Sequence, residues 1–217
     1  MSDSSDRSDP TLSVPDKAEF FLKLLETRRS VRRFRRDVPT PDLIDRVIEC
    51  ASYAPSAHNA QPWRFYILTD PAKRAQLLEN MAQIFRQDLE MDGSKPDEIN
   101  KCLARSRETI GQAPVLILVC IETQEKRIYH DQRRSQSEHN LLIQSAAAAV
   151  QNLLLSAHAL GLAGCWFSAP IFCPEVVQTS LKIPNNHEPQ GFIALGYAAD
   201  SPTEPVRIKL NEIRFRI

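Results

Sequence analysis

The sequence predicts an α+β fold, and three features carry that prediction. Helical and strand-like segments follow one another as ααβααβαβαβ, without the regular alternation of a doubly wound parallel sheet. Val115 to Ile121 is an unbroken apolar run, which suits a strand buried on both faces. The six glycines (Gly93, Gly111, Gly161, Gly164, Gly191 and Gly196) form neither GxGxxG nor GxxxxGK[ST], so the glycine cradles of Rossmann and P-loop folds are excluded.

The elements follow in order. Residues 1–15 are Ser- and Asp-rich, bury too little to offset ordering entropy, and are expected as a disordered arm; 16–217 shows no shift of composition and is expected as one domain. Ser13 and Asp16 make a capping-box-like start for a helix with Phe20, Phe21, Leu24 and Leu25 at helical spacing, ending near Thr27. Thr40-Pro41-Asp42 opens a second helix whose face is Leu43, Ile44, Val47, Ile48 and Ala51. Pro55 and Pro62 bracket a loop, and Trp63 to Thr69 alternates as a strand. Asp70-Pro71 starts a helix running to about Glu90, and a very polar helix spans Asp97 to Thr109. After the buried strand, a polar connection from Glu122 to Ser137 leads to an Ala-rich helix over Glu138 to Leu160, closed by Gly161 at C′. A strand over Gly164 to Ser168, a helix from Pro174 to Leu181 and a strand over Gly191 to Tyr197 complete the core. Arg207 to Ile217 alternates like an edge strand with no later partner in its own chain.

Composition narrows the function classes. Basic and acidic residues number 27 each, so no whole-molecule field draws the chain to nucleic acid or an anionic membrane. Ser145 to Trp166 is mostly apolar but is interrupted by Gln151, Asn152 and His158, and reads as a buried core helix rather than a membrane span. Five cysteines, an odd number without CxxC, and a start lacking an apolar leader core suggest a reduced, cytoplasmic setting. His58, His130, His139, His158 and His187 show no metal-ligand spacing, and no GxSxG elbow exists.

Two stretches concentrate chemistry. Arg28-Arg29-Ser30-Val31-Arg32-Arg33-Phe34-Arg35-Arg36 places six guanidinium groups and a hydroxyl in nine residues, a donor set matched to phosphate. Ala54-Pro55-Ser56-Ala57-His58-Asn59-Ala60-Gln61-Pro62-Trp63 is a proline-stiffened loop carrying two carboxamides, whose paired donor and acceptor suit the C=O and N–H edge of a planar heterocycle. A solvated basic face and a structural turn are the plain alternatives for the two.

Together these stretches resemble the nitroreductase family of FMN-dependent oxidoreductases, through an Arg-Arg-Ser-Val-Arg-x-Phe pattern and a Pro-Ser-x-x-Asn-x-Gln-Pro-Trp loop. The likeness continues through Ala159-Leu160-Gly161-Leu162-Ala163-Gly164, Ile193-Ala194-Leu195-Gly196-Tyr197 and Arg207-Ile208-Lys209-Leu210, and covers roughly 20–213. A narrower likeness, in Ala148 to Leu155 with Cys165-Trp166 and Phe172-Cys173, is to the nitroreductase-like domain of deazaflavin-cofactor biosynthesis proteins.

The resemblance implies a mainly antiparallel central sheet flanked by helices, in an intertwined homodimer that exchanges its C-terminal strands. It implies that Arg28, Arg29, Ser30 and Arg32 hold the FMN phosphate and ribityl chain, with Arg207 and Lys209 adding cations. Pro55, Ser56 and Asn59 would line the isoalloxazine pocket, with Gln61 behind them, and Ser168 and Ala169 would lie near flavin N5. The family's carboxylate is missing from 168–171. Residues 79–110 would form lid helices over the flavin's open face. The implied activity is ping-pong: NAD(P)H reduces FMN and leaves, and a nitroaromatic, quinone or related small-molecule acceptor takes its place. A specialised flavin enzyme on the same fold (ene-type reductase, dehalogenase or flavin-consuming enzyme) and a non-catalytic flavin-binding protein are the alternatives.

Overall fold

The computed structural model describes residues 14–217 apart from 125, 126 and 128. Its elements are α1 (Val14–Thr27), α2 (Pro41–Ser52), β1 (Trp63–Leu68), α3 (Pro71–Met91), α4 (Pro96–Gly111), β2 (Val115–Glu122), α5 (Gln132–Ala159), β3 (Ala163–Phe167), α6 (Pro174–Leu181), β4 (His187–Gly196) and the one-turn α7 (Leu210–Ile213). Single 3₁₀ turns lie at Ala57–Asn59 and Ala169–Phe172.

The helices start where the capping chemistry indicates. Thr40 Oγ1 accepts from Leu43 N at 3.4 Å, and Asp70 Oδ1 accepts from Ala72 N at 2.9 Å and Lys73 N at 3.2 Å, each ahead of a proline at the first turn. Gly161 adopts φ +77° just past α5, a conformation that costs an L side chain dearly.

The four strands form one sheet in the order β1-β2-β4-β3, every neighbouring pair antiparallel. The two-residue period of β2 then divides the core. Val115, Ile117 and Val119 join Ile193 and Leu195 against Ile44 and Val47 of α2 and Val150 and Leu153 of α5. Leu116, Leu118 and Cys120 join Phe192 and Ala194 on the other face, against Leu77, Leu78 and Met81 of α3 and Val177 of α6. Apolar cover on both sides of the sheet explains why β2, and β4 from Phe192 to Leu195, are continuously apolar. α3 and α4, the expected lid helices, pack on each other through Ala82, Ile99 and Leu103, with an ion pair between Arg107 and Glu79. The buried Arg74 guanidinium donates to Ala113 O at 2.8 Å and Gly111 O at 3.3 Å, tying α3 to the end of α4.

Several sequence expectations are corrected. Arg207 to Ile217 forms no strand in the single chain: Leu210–Ile213 is a helical turn closed by Glu212 N to Lys209 O and Arg214 N to Leu210 O, both 3.0 Å. Its alternation has no sheet neighbour within the chain, and without a ladder the backbone bonds to itself locally. α5 begins at Gln132, not Glu138, because Asp131 accepts from Arg134 N at 2.9 Å and caps a first turn that is polar only because it faces solvent. β4 begins at His187, not Gly191; its polar first residues pair with Cys120 to Glu122 beyond a register shift at Val119/Cys120. The expected arm over 1–15, with the Ser13 cap, lies outside the described residues except for Val14 and Pro15, which open α1.

No helix among the described residues is long and apolar enough to cross a membrane. Cys120, Cys165 and Cys173 are buried and unpaired. Burial pushes the Cys120 thiol up to about 12 and Cys173 up to about 11, so neither is poised as a thiolate.

Candidate functional site

The arginine stretch is held in place by backbone pairing. Val31 N donates to Gly164 O at 3.1 Å at the head of β3, Arg35 N to Tyr197 O at 2.8 Å, and Ala199 N to Arg33 O at 3.0 Å. Residues 28–35 are thereby clamped between β3 and the chain leaving β4. A cavity of about 590 Å³ opens there, and Arg28, Arg29, Ser30, Arg32, Arg33 and Arg207 line it. Arg207, from the far end of the chain, thus meets the N-terminal cluster in one cleft.

Five arginines of the cluster, with Arg207, divide by what already holds them. Arg29 donates to Arg28 O at 2.9 Å and to Glu26 O, and faces Glu204 at 3.6 Å. Arg33 pairs with Asp200 at 2.9 Å, and Arg35 pairs with Asp37 at 2.6 Å while lying over the Tyr197 ring. Arg28, Arg32 and Arg207 meet no carboxylate among the described residues, so their charge is free for an anion. Lys209 does not line this cavity; it precedes α7.

A smaller cavity of about 290 Å³ adjoins the first through Arg28, Arg29, Val31 and Pro202, and contains His158. Thr27 Oγ1 lies 2.9 Å from His158 Nε2. Burial, then the charges of Arg28 and Arg29, hold the imidazole below its ordinary value. The unfolded chain therefore takes up this proton first on acidification. The neutral imidazole's contribution is full above the unfolded pKa of about 6.5 and is lost as pH falls from there through the lower folded value. Urea midpoints measured across that range will fall less steeply for His158→Gln than for the parent chain; equal slopes would contradict the assignment.

The loop after α2 is built differently. Ala57 N donates to Ser145 Oγ of α5 at 3.1 Å, and Gln61 N donates to Ser56 Oγ at 3.1 Å. Gln61 Nε2 donates to Asn59 Oδ1 at 3.3 Å, and Arg64 holds Gln61 O at 3.1 Å. These bonds keep His58 (φ 56°), Asn59 (φ 55°) and Gln61 (φ 44°) in the left-handed region, where such residues are uncommon. Asn59 lines a cavity of about 320 Å³, whereas Pro55, Ser56 and Gln61 line none of the cavities described. Ser168 lines another, of about 180 Å³, with Trp166 and Gln190. Trp166 lies so close to Gly191 that a Cβ there would strike its indole. Ala169 packs beneath α3 and α4.

One chain therefore unites Arg28, Arg29, Ser30, Arg32 and Arg207, and leaves Asn59 and Ser168 in separate cavities. Sequence reasoning missed Glu138, which is 5% exposed on α5. It also missed the chain of Tyr66, His187 and Glu122, in which His187 Nε2 lies 2.7 Å from Glu122 Oε2 and Nδ1 meets the Tyr66 hydroxyl. Neither carries a local sequence signal, since each depends on which elements pack together.

An antiparallel sheet in this strand order, covered by helices on both faces, defines an α+β protein of nitroreductase-like fold. The Nitroreductase family model matches residues 25–197, and the chain belongs to that family. YfhC of Bacillus subtilis, which carries a provisional NAD(P)H nitroreductase name, is 26% identical over 195 residues, 88% of this chain and 92% of its own. The 5,6-dimethylbenzimidazole synthase of Rhodospirillum rubrum is 28% identical over 184 residues, 84% and 83% of the two chains. Among solved structures, a BluB-like flavoprotein from Clostridium difficile 630 superposes with a TM-score of 0.78 at 23% identity, covering 90% of this chain and 98% of that one.

Proposed function

We propose that the chain is an FMN-dependent oxidoreductase that passes electrons from NAD(P)H to a nitroaromatic, quinone or related conjugated acceptor. The observation that carries this reading is the set of three guanidinium groups, Arg28, Arg32 and Arg207, unpaired in one cleft with the Ser30 hydroxyl. Three fixed positive charges without a carboxylate to answer them suit a phosphate dianion, because bidentate guanidinium bonds to phosphate oxygens are strong and directional. Bound there, FMN would supply the redox chemistry, and the chain's own task is to grip, orient and shield.

The residues divide that task. Arg28, Arg32, Arg207 and Ser30 would anchor the phosphate, while Arg29 keeps the cleft's shape through its carbonyl bonds. Asn59 and Ser168 would meet the ring. Their separation from the arginine cleft within one chain supports a homodimer in which each site draws on both copies. The exposure of Phe20, Phe21 and Leu22 on α1, and of Ile208, Leu210, Ile213 and Phe215 in the tail, supports the same arrangement. Residues 214–217 could then add to a partner's sheet. α3 and α4 would act as the lid, with Phe85 against Phe172 linking it to the turn that follows Ser168.

The match to a 5,6-dimethylbenzimidazole synthase favours a second reading, in which flavin is the substrate and is consumed. Incubating FMN-loaded protein with NAD(P)H, with and without a nitroaromatic or quinone, separates the readings. Multiple turnovers of NAD(P)H with the flavin spectrum recovered support the oxidoreductase; irreversible loss of the flavin in proportion to protein supports consumption. Protein that takes up no FMN would overturn both.

A further inference from the structure

We infer that Ser145 of α5 is a positioning residue for the candidate site: its hydroxyl holds the loop over 56–61, and through the loop sets where Asn59 meets the flavin ring. The inference rests on the flavin reading above, and deepens it by naming a residue that acts through another.

Ala57–Asn59 is a single 3₁₀ turn, and the first N–H groups of a helical turn have no partner inside it. Ser56 stands where a capping side chain would, yet its hydroxyl caps nothing in the turn and accepts instead from Gln61 N at 3.1 Å. Ala57 N is answered from outside the loop: it donates to Ser145 Oγ at 3.1 Å, across 88 residues of sequence. Ser145 is 6% exposed, and its own proton goes to Leu141 O at 2.7 Å, one turn back on α5. The hydroxyl is thereby fixed as an acceptor toward the loop.

Two kinds of bond act on the loop. Those within it, Gln61 N to Ser56 Oγ and Gln61 Nε2 to Asn59 Oδ1, fix its shape. Those to its surroundings fix its place: Ser145, and Arg64 on the strand that the loop leads into, which holds Gln61 O. Ser145 is thus, among the described residues, the loop's one hydrogen-bonded tie to an element distant in sequence. Such a tie matters here because His58, Asn59 and Gln61 all have positive φ, and backbone in that region persists only where its surroundings over-determine it. The same helix also supplies a wall of the site. Leu142 and Glu138, about one and two turns before Ser145, line the cavity of about 320 Å³ that Asn59 lines. α5 therefore carries both the wall and the contact that sets how far Asn59 stands from it.

The test separates positioning from stability. Ser145→Ala and Ser145→Val remove the hydroxyl, whereas Ser145→Thr keeps it; Thr and Val are nearly equal in shape, so their difference reads the hydroxyl alone. Amide hydrogen exchange over 57–61 is followed in flavin-free protein. FMN affinity, its salt dependence and the absorption spectrum of bound FMN are measured on the loaded protein. Ser145→Ala and Ser145→Val will exchange about tenfold faster over 57–61 than the parent, the change for losing one hydrogen bond, with the sheet protected as before. Both will bind FMN about tenfold more weakly, by the same reasoning. The salt dependence will not change, because the arginine grip is untouched, and the bound-flavin band will move toward that of free FMN as Asn59 leaves the ring. Ser145→Thr will behave as the parent on every count. Should Val fail to fold, Ser145→Ala, which only removes an atom, decides against Thr. A bound-flavin spectrum alike in all the variants, even with a lowered urea midpoint, would show a merely structural role and overturn the inference; so would exchange over 57–61 that does not depend on the hydroxyl. Parent protein that binds no FMN overturns the proposed function instead, and exchange over 57–61 then decides by itself whether Ser145 holds the loop.

Discussion

Phe192→Ala will lower the free energy of unfolding by about 3–5 kcal/mol, the range for removing a large aromatic side chain from a packed core. Phe192 is 0% exposed and pairs with Leu118 on β2 and Phe167 on β3. It shares a core cluster with Leu77, Met81 and Val177, so the ring joins the sheet to α3 and α6. Little can collapse into the space it leaves, because its neighbours belong to hydrogen-bonded strands and to helices already packed on one another. A urea midpoint that falls while the slope stays constant will mark a loss of stability without a change in the surface exposed. A loss below about 1 kcal/mol would mean that the site relaxes, and that this layer of the core is looser than its burial implies.

Arg28→Ala and Arg32→Ala will each weaken FMN binding by about 1.5–3 kcal/mol, the range for hydrogen bonds to a charged group. That corresponds to roughly 10- to 150-fold in Kd. Arg33→Ala will weaken it less, because Asp200 already answers that charge. The contrast matters more than either value: generic attraction to a basic surface would make the three variants alike, whereas a phosphate seated in the cleft separates them. Titration of FMN by fluorescence quenching distinguishes these results. The affinity will also fall as salt is raised, since part of the attraction is screened.

Much of the fold was legible because the signals were local. Thr40-Pro41 and Asp70-Pro71 marked helix starts, since a side-chain oxygen and a proline there satisfy the first turn by themselves. The apolar run in β2 announced burial on both faces. Less was legible where the chain's own environment decided the outcome. The first residues of α5 look like a loop until Asp131 is seen to cap them, and the start of β4 looks irregular until β2 lies beside it. The tail over 207–217 carries a strand's alternation but has no ladder to join within one chain.

The candidate site divides in the same way. Its arginines and carboxamides stand out as residue types in the linear chain, because guanidinium and amide chemistry is a property of the side chain alone. Which arginines are free is a matter of neighbours: Glu204, Asp200 and Asp37 answer Arg29, Arg33 and Arg35, and leave Arg28, Arg32 and Arg207 open. Glu138 shows the difference most clearly. Its sequence context is an ordinary polar helix start, and only the packing of α5 against the 57–61 loop leaves it 5% exposed at the edge of a cavity. Composition and periodicity determined the elements and the chemical repertoire, since both are written in short stretches of chain. Burial and pairing were decided by tertiary structure, because they depend on residues far apart in sequence meeting across the sheet.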